Sequence, residues 1–246
     1  MAQRFLWLTP FDFRLAPSAW PRAGFPFGRR AFSCLFLLVL WANGASAQPL
    51  TAAQPPPLPC SFSLDLSGLK PEDAHITQLR FYVSSPRLFH RGVQVDGFAS
   101  SYHLVNALDT LSNHFALIRT NALPFDEVRL LVGVDSTTTA AGIMSGDLDP
   151  MHNMYWTWQS GYINIKLEGN WKGKDMQFHL GGFAFPNNNL QELRVSVLET
   201  NRLSFVWHAP SFFGQLPLDS SYRVMRPCAE ANRLARLFTS SFSLGH

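Results

Sequence analysis

The sequence predicts an all-β domain, an antiparallel β-sandwich or barrel-like fold closed by a short C-terminal helix. Three observations carry this. Apolar and polar residues alternate over several short runs, Gly, Pro, Asn and Ser separate those runs, and only the last stretch has helical spacing.

The folded part does not start at residue 1. Residues 31–47, AFSCLFLLVLWANGASA, place an apolar run after Arg29 and Arg30 and before the small triplet Ala45, Ser46, Ala47. That is the layout of a secretory signal, with Gln48 as the first mature residue. The run is about half of the roughly 20 residues a membrane-spanning helix needs, so a cleaved leader is the better reading. The segment that follows, QPLTAAQPPPLP, is an extended proline-rich linker. The expected organisation is therefore a signal peptide over 1–47, a linker over 48–59 and one β-domain over 60–246.

Export changes the charge balance. The whole chain has 20 Lys and Arg against 17 Asp and Glu, a net charge of +3. Losing five arginines and one aspartate with the leader leaves 15 against 16, a net charge of about −1. Nothing then attracts a phosphate backbone, and nucleic-acid binding is excluded as a function class. Cys34 leaves with the leader, so the mature chain keeps Cys60 and Cys228. In an oxidising compartment such a pair is expected to form one disulfide, the alternative being two unpaired buried thiols. Neither has the neighbouring Cys or His of a zinc site.

The strands follow in order. Cys60, Phe62, Leu64 and Leu66 alternate with polar residues, as do Leu79, Phe81 and Val83. The same holds for Val128, Leu130, Val132 and Val134, for Leu193, Val195 and Val197, and for Leu203, Phe205 and Trp207. Each set lies on one face of a half-buried sheet. At the end, Cys228, Ala231, Leu234, Ala235 and Phe238 share one helical face after Pro227, which predicts a helix over 228–238 packed on the sheet. Trp171 and Trp207 read as packing residues.

Residues 130–169 break the pattern. After Val134 the chain runs through Asp135 and Ser136 into a small-residue loop over 137–146, turns at Asp149 and Pro150, and starts a strand near Met154. Met154, Trp156 and Trp158 share one parity, whereas Ile163, Ile165 and Leu167 share the other, so a bulge is expected near Ser160 and Gly161. The tryptophan pair is either core or part of a site. Downstream, His179 in MQFHLGGF lies on the face opposite Met176, Phe178 and Leu180, and its two glycines permit close approach of a backbone or an ion. His103 lies in SYHLVNAL upstream. Imidazole is a common copper ligand, and spacing alone does not bring the two histidines together. His152, beside Met151 and Met154, is either a soft-metal turn or an ordinary exposed one. Asp135, Asp149 and Glu168 read as structural acids near turns, and the absence of nucleophile, zinc or phosphate-loop motifs argues against an enzyme.

GVDS, GDLDP, NMYWTWQSGYINIKLEG and FHLGG, with YHLV upstream, occur in order. In these blocks the chain resembles the MbnP-like copper-binding family from about Cys60 to Phe242. The resemblance implies an exported β-domain of a Gram-negative periplasm or cell surface that binds copper, as Cu(I) or Cu(II). In some relatives two histidines hold the metal together with a tryptophan oxidised to kynurenine by a partner di-haem peroxidase-like enzyme. Carried onto this chain, the ligands are His103 and His179 and the modified residue is Trp156 or Trp158. Kynurenine supplies an amine and a ketone where indole has no lone pair to give. Some relatives have a His two positions after the tryptophan; here Trp158 and Ser160 stand at those places. The competing expectation is a secreted β-sandwich interaction module that kept the fold without the metal.

Overall fold

A computed structural model describes residues 54–97, 101–159, 161–198, 200–217 and 222–245. The expected signal peptide over 1–47, the first half of the expected linker and Ser160 lie outside the described residues. Strands dominate: β1 (Leu58–Asp65), β2 (Ala74–His90), β3 (Val93–Gly97), β4 (Tyr102–Asn106), β5 (His114–Leu117), β6 (Glu127–Val132), β7 (Tyr155–Trp156), β8 (Gly161–Trp171), β9 (Lys174–Gly181), β10 (Gln191–Ser196), β11 (Leu203–His208), β12 (Arg223–Val224) and β13 (Phe242–Leu244). Among the described residues three short α-helices, α1 (Ser136–Ala141), α2 (Ala209–Phe213) and α3 (Ala229–Ser240), and two single-turn 3-10 helices at Gly146–Leu148 and Pro150–His152 join them. Among the described residues no helix is long and apolar enough to cross a membrane.

Two sheets result. The smaller runs β13-β11-β1-β5, and the larger runs β10-β6-β2-β8-β9-β12. Most pairings are antiparallel, as expected, but β1 lies parallel to β11 and β9 parallel to β12. The long β2 serves both of its edges. One edge pairs first with β8 through residues 74–81 and then with β6 through 83–89, while the other carries β4 and β3.

The alternating apolar residues meet between the two sheets. Phe62 stacks on Phe205 at 4.8 Å and meets the edge of Phe81 at 5.3 Å. Such pairs add orientation-specific attraction to the area they bury. Trp207 donates its indole N–H to the Phe238 carbonyl at 3.1 Å, and Trp171 stacks on Phe213 at 4.6 Å, so both are packing residues. α3 buries Ala231, Leu234, Ala235 and Phe238, the face its spacing predicts.

Three expectations are corrected. Cys60 and Cys228 are both free thiols. Cys60 is buried on β1 between Leu203 of β11 and Phe115 of β5, and burial pushes its thiol up to about 12. Cys228 instead caps α3, its sulfur accepting from the Ala231 N–H. The loop expected over 137–146 begins as α1, because Asp135 accepts the Thr138 N–H and satisfies the first turn. The bulge lies at Asn164, where Ile163 pairs with Gly181 and Ile165 already with Leu180. Ile163 and Ile165, which have the same parity in sequence, therefore enter different clusters.

The extra residue is itself structural. Asn164 accepts the Val134 N–H at 2.9 Å and donates to Asn189 at 2.7 Å, in the gap where β8 leaves β2 and β6 joins it. Gly133, at φ +122°, leaves room there: a Cβ would stand 2.6 Å from Asn164 Cγ.

Candidate metal centre

Lys172 and Gly173, at φ 48° and 78°, form the two-residue turn between β8 and β9. Positive φ at both places is the hairpin geometry that fixes register without slippage. Glu168 then faces Gln177 and Lys166 faces His179. Lys166 in turn pairs with Arg80 of β2, and Arg80 with Asn106 of β4. His179, Lys166 and Arg80 thus form one row on the face of the large sheet that looks away from the small one.

His179 is 9% exposed, and its Nε2 lies 2.6 Å from Glu168 Oε1. Burial holds its pKa below the ordinary 6.5, outweighing the upward pull of Glu168, and Lys166 pushes the same way as burial. The ring is therefore neutral at pH 7, with Nε2–H donating to the carboxylate and the lone pair left on Nδ1. A carboxylate behind an imidazole is the arrangement that fixes tautomer and ring direction in metal-binding histidines.

The aromatic strand reaches the same face. Trp156, 6% exposed, pairs with Gly161 and lays its indole against Gly181, two residues beyond His179. A Cβ at position 181 would lie 2.6 Å from Trp156 Cζ3 and 2.5 Å from the Tyr162 carbonyl oxygen. The second glycine of the FHLGG block, Gly182, is tied to φ +137° beside the Asn187 carbonyl. Trp158 is placed quite differently from its neighbour. It is 66% exposed in the turn after β7, tilted over Trp156 at 5.5 Å. The expectation that both tryptophans share one strand face fails because β7 ends at Trp156.

The turn carrying His152 is seated by basic side chains from the sheet. Arg80 donates to the His152 carbonyl at 3.0 Å and Lys166 to the Asn153 carbonyl at 3.4 Å. Asp149 caps the turn through the Met151 N–H, while Met151 itself is exposed and Met154 fully buried.

His103 lies elsewhere. It pairs with Val83, whose side chain belongs to the inter-sheet core, and it stacks on Phe115 of β5 at 4.3 Å. Its Nδ1 is 3.9 Å from Asp147, and burial lowers its pKa too. Both histidines are neutral nitrogen donors, yet they occupy opposite faces of the large sheet. They are also three strand spacings apart, roughly 14 Å. The pair does not fit one shared ion, because strand pairing fixes the parity of each. Among the described residues no three His, Cys, Asp or Glu side chains group as a metal site. Of the two, His179 has the hydrogen-bonded carboxylate, Glu168 at 2.6 Å, and Trp156 packed on Gly181 of the same strand.

Arg80 lies in none of the quoted blocks and Lys166 lies in one without a role, so sequence reasoning assigns nothing to either. Glu168 is read there only as a turn acid. The Lys172–Gly173 turn is the signal that sets Glu168 diagonally across from His179.

The MbnP family model matches residues 51–226, well over half of the chain. Among solved structures the chain is similar to MbnP from Methylosinus trichosporium, at 12% identity over 72% of this chain and 86% of that one, with a TM-score of 0.47. No curated protein matches. On the family match, this chain belongs to the MbnP family.

Proposed function

We propose that this protein is an exported copper-binding member of the MbnP family, acting in the periplasm or at the cell surface of a Gram-negative bacterium, with His179 as the ligand that anchors the metal. The observation that carries this is the Glu168–His179 hydrogen bond at 2.6 Å on the face that Trp156 shares. It leaves Nδ1 of a neutral, nearly buried imidazole as a directed donor. Copper would be held there by imidazole nitrogen, and few nitrogen ligands suit Cu(I). Oxidation of Trp156 or Trp158 to kynurenine would add donors beside it. Exposed Trp158 is the one a di-haem peroxidase-like partner meets first. The reading assigns binding, not catalysis, to this face.

The test is copper per chain in protein recovered from an oxidising compartment, joined to peptide masses over residues 151–172. His179→Ala is expected to lose the metal and Glu168→Gln to weaken it by about 10- to 100-fold. His103→Ala is expected to keep it, as an ion held at the opposite face would not. Full copper in His179→Ala rejects the reading.

A second reading, a metal-free interaction module, is favoured by one observation. Exposed Trp158 lines a recess with Arg223, Met225 and Arg226, residue types that anchor protein interfaces. Copper-free protein with both tryptophans unmodified is the result that selects it.

A further inference from the structure

The outer face of the small sheet carries a constellation with no part in the proposed copper site. β1 and β11 run parallel with Asp65 opposite His208, and β13 lies antiparallel on the other edge of β11 with Ser243 opposite Val206. Phe62, Phe205 and Trp207 point inward, so Asp65 and His208 point outward. His208 Nδ1 is 2.8 Å from Asp65 Oδ2, and its Nε2 is 2.7 Å from Ser243 Oγ. The imidazole is about one-third exposed, at 34%, and Ser243 is half-buried. We propose that Asp65, His208 and Ser243 form a nucleophilic serine site that accepts the acyl group of small activated esters.

The roles follow from the hydrogen bonds. Asp65 is itself oriented by the Ser67 N–H at 2.8 Å, and hydrogen bonds from Ser67 and His208 hold its carboxyl at about 2, so it is ionised at neutral pH. An ionised carboxylate on Nδ1 fixes that nitrogen as the donor and leaves Nε2 as the acceptor for the Ser243 hydroxyl. This is the order of a serine hydrolase triad, which is recognised by geometry and role, not by place in the chain. His208 is the general base, Ser243 the nucleophile and Asp65 a positioning residue.

In the step, Ser243 Oγ forms a bond to the ester carbonyl carbon as its proton passes to His208 Nε2. The ester C–O bond breaks, and the departing alkoxide or phenolate takes that proton. Water then attacks the acyl-serine with His208 again as base, releasing the acid and restoring the hydroxyl. The net change is ester plus water to acid plus alcohol. With the imidazole one-third exposed, the site supplies general-base activation with little transition-state enclosure. Esters with good leaving groups and little bulk are therefore its class of acyl donor.

The experiment treats the mature chain with a fluorophosphonate probe and reads intact mass, then maps the label by peptide digestion. One equivalent on Ser243 is expected, with none on Ser243→Ala. His208→Gln and Asp65→Asn are expected to label at least about 100-fold more slowly, with unchanged circular dichroism and a cooperative unfolding transition that stays above the assay temperature. Hydrolysis of p-nitrophenyl acetate should fall in the same three variants. An unlabelled wild type, a label elsewhere, or equal labelling in folded His208→Gln overturns the proposal and leaves the three side chains as a strand-joining hydrogen-bond ladder. Copper content is unaffected by any of these variants, so this result and that of the His179 experiment are read separately.

Discussion

The space between the two sheets and the outer face beneath the tryptophan turn are built from the same β8–β9 hairpin by different means. Between the sheets, Leu167, Phe178 and Leu180 follow simple alternation and pack on Phe81 and its neighbours. On the outer face, Trp156, Ile163 and Tyr162 gather only because a bulge, a glycine and a broken strand redirect them. The first region is held by interchangeable apolar bulk, and the second by single residues whose backbone geometry has no substitute. His179, the proposed copper ligand, lies on the second.

The largest effect expected from this contrast is in the core. Phe62→Ala should cost about 4 kcal/mol in urea unfolding, since Phe62 touches rings from β2, β5, β11 and β13. It should leave the His179 face intact in any folded fraction. Gly181→Ala should cost less, about 2 kcal/mol, because the new methyl meets a carbonyl oxygen that cannot retreat and the Trp156 ring. Its distinguishing sign is a red shift of tryptophan fluorescence as Trp156 leaves its seat. An unshifted spectrum at full stability would show that the seat of Trp156 does not depend on the missing side chain at position 181.

Acidification gives a smaller effect. His179 and His103 both have folded pKa values below their ordinary 6.5, so the unfolded chain binds protons first as pH falls. Their contribution is complete above about pH 6.5 and is lost as pH drops toward the folded values. His179→Gln should flatten the stability curve in that window, and a slope unchanged from wild type would mean that the imidazole is not desolvated. The smallest effect is expected at Trp158. Exposed as it is, Trp158→Ala should change unfolding free energy by less than about 0.5 kcal/mol, while Trp156→Ala should cost several times more. Equal costs would remove the distinction between the two tryptophans.

Much of this was legible in advance for a plain reason. Alternation reports which side of a strand is wet, so the inward sets on β1, β2, β6, β10 and β11 could be named from residue order. α3 could be placed from its spacing after Pro227. The free thiols, the helix after Asp135 and the bulge at Asn164 could not. Each depends on which segment lies alongside, and a single inserted residue reverses the parity of everything beyond it. Within the candidate site, His179 and the tryptophans stood out by residue type, whereas Glu168, Lys166 and Arg80 became partners through register alone. His208, which no local pattern singled out, meets Asp65 and Ser243 only because β1 and β13 pair with opposite edges of β11.

By itself, then, the order of residues determined that this is a β-domain, which residues are apolar enough to form its core, and which family motifs it carries. Tertiary structure alone decided that His103 and His179 stand on opposite faces, that Trp156 is sheltered and Trp158 open, and that Asp65, His208 and Ser243 touch. The physical reason is that burial preference is a property of each side chain, whereas the approach of two polar groups is set by strand order and register, which belong to the whole chain.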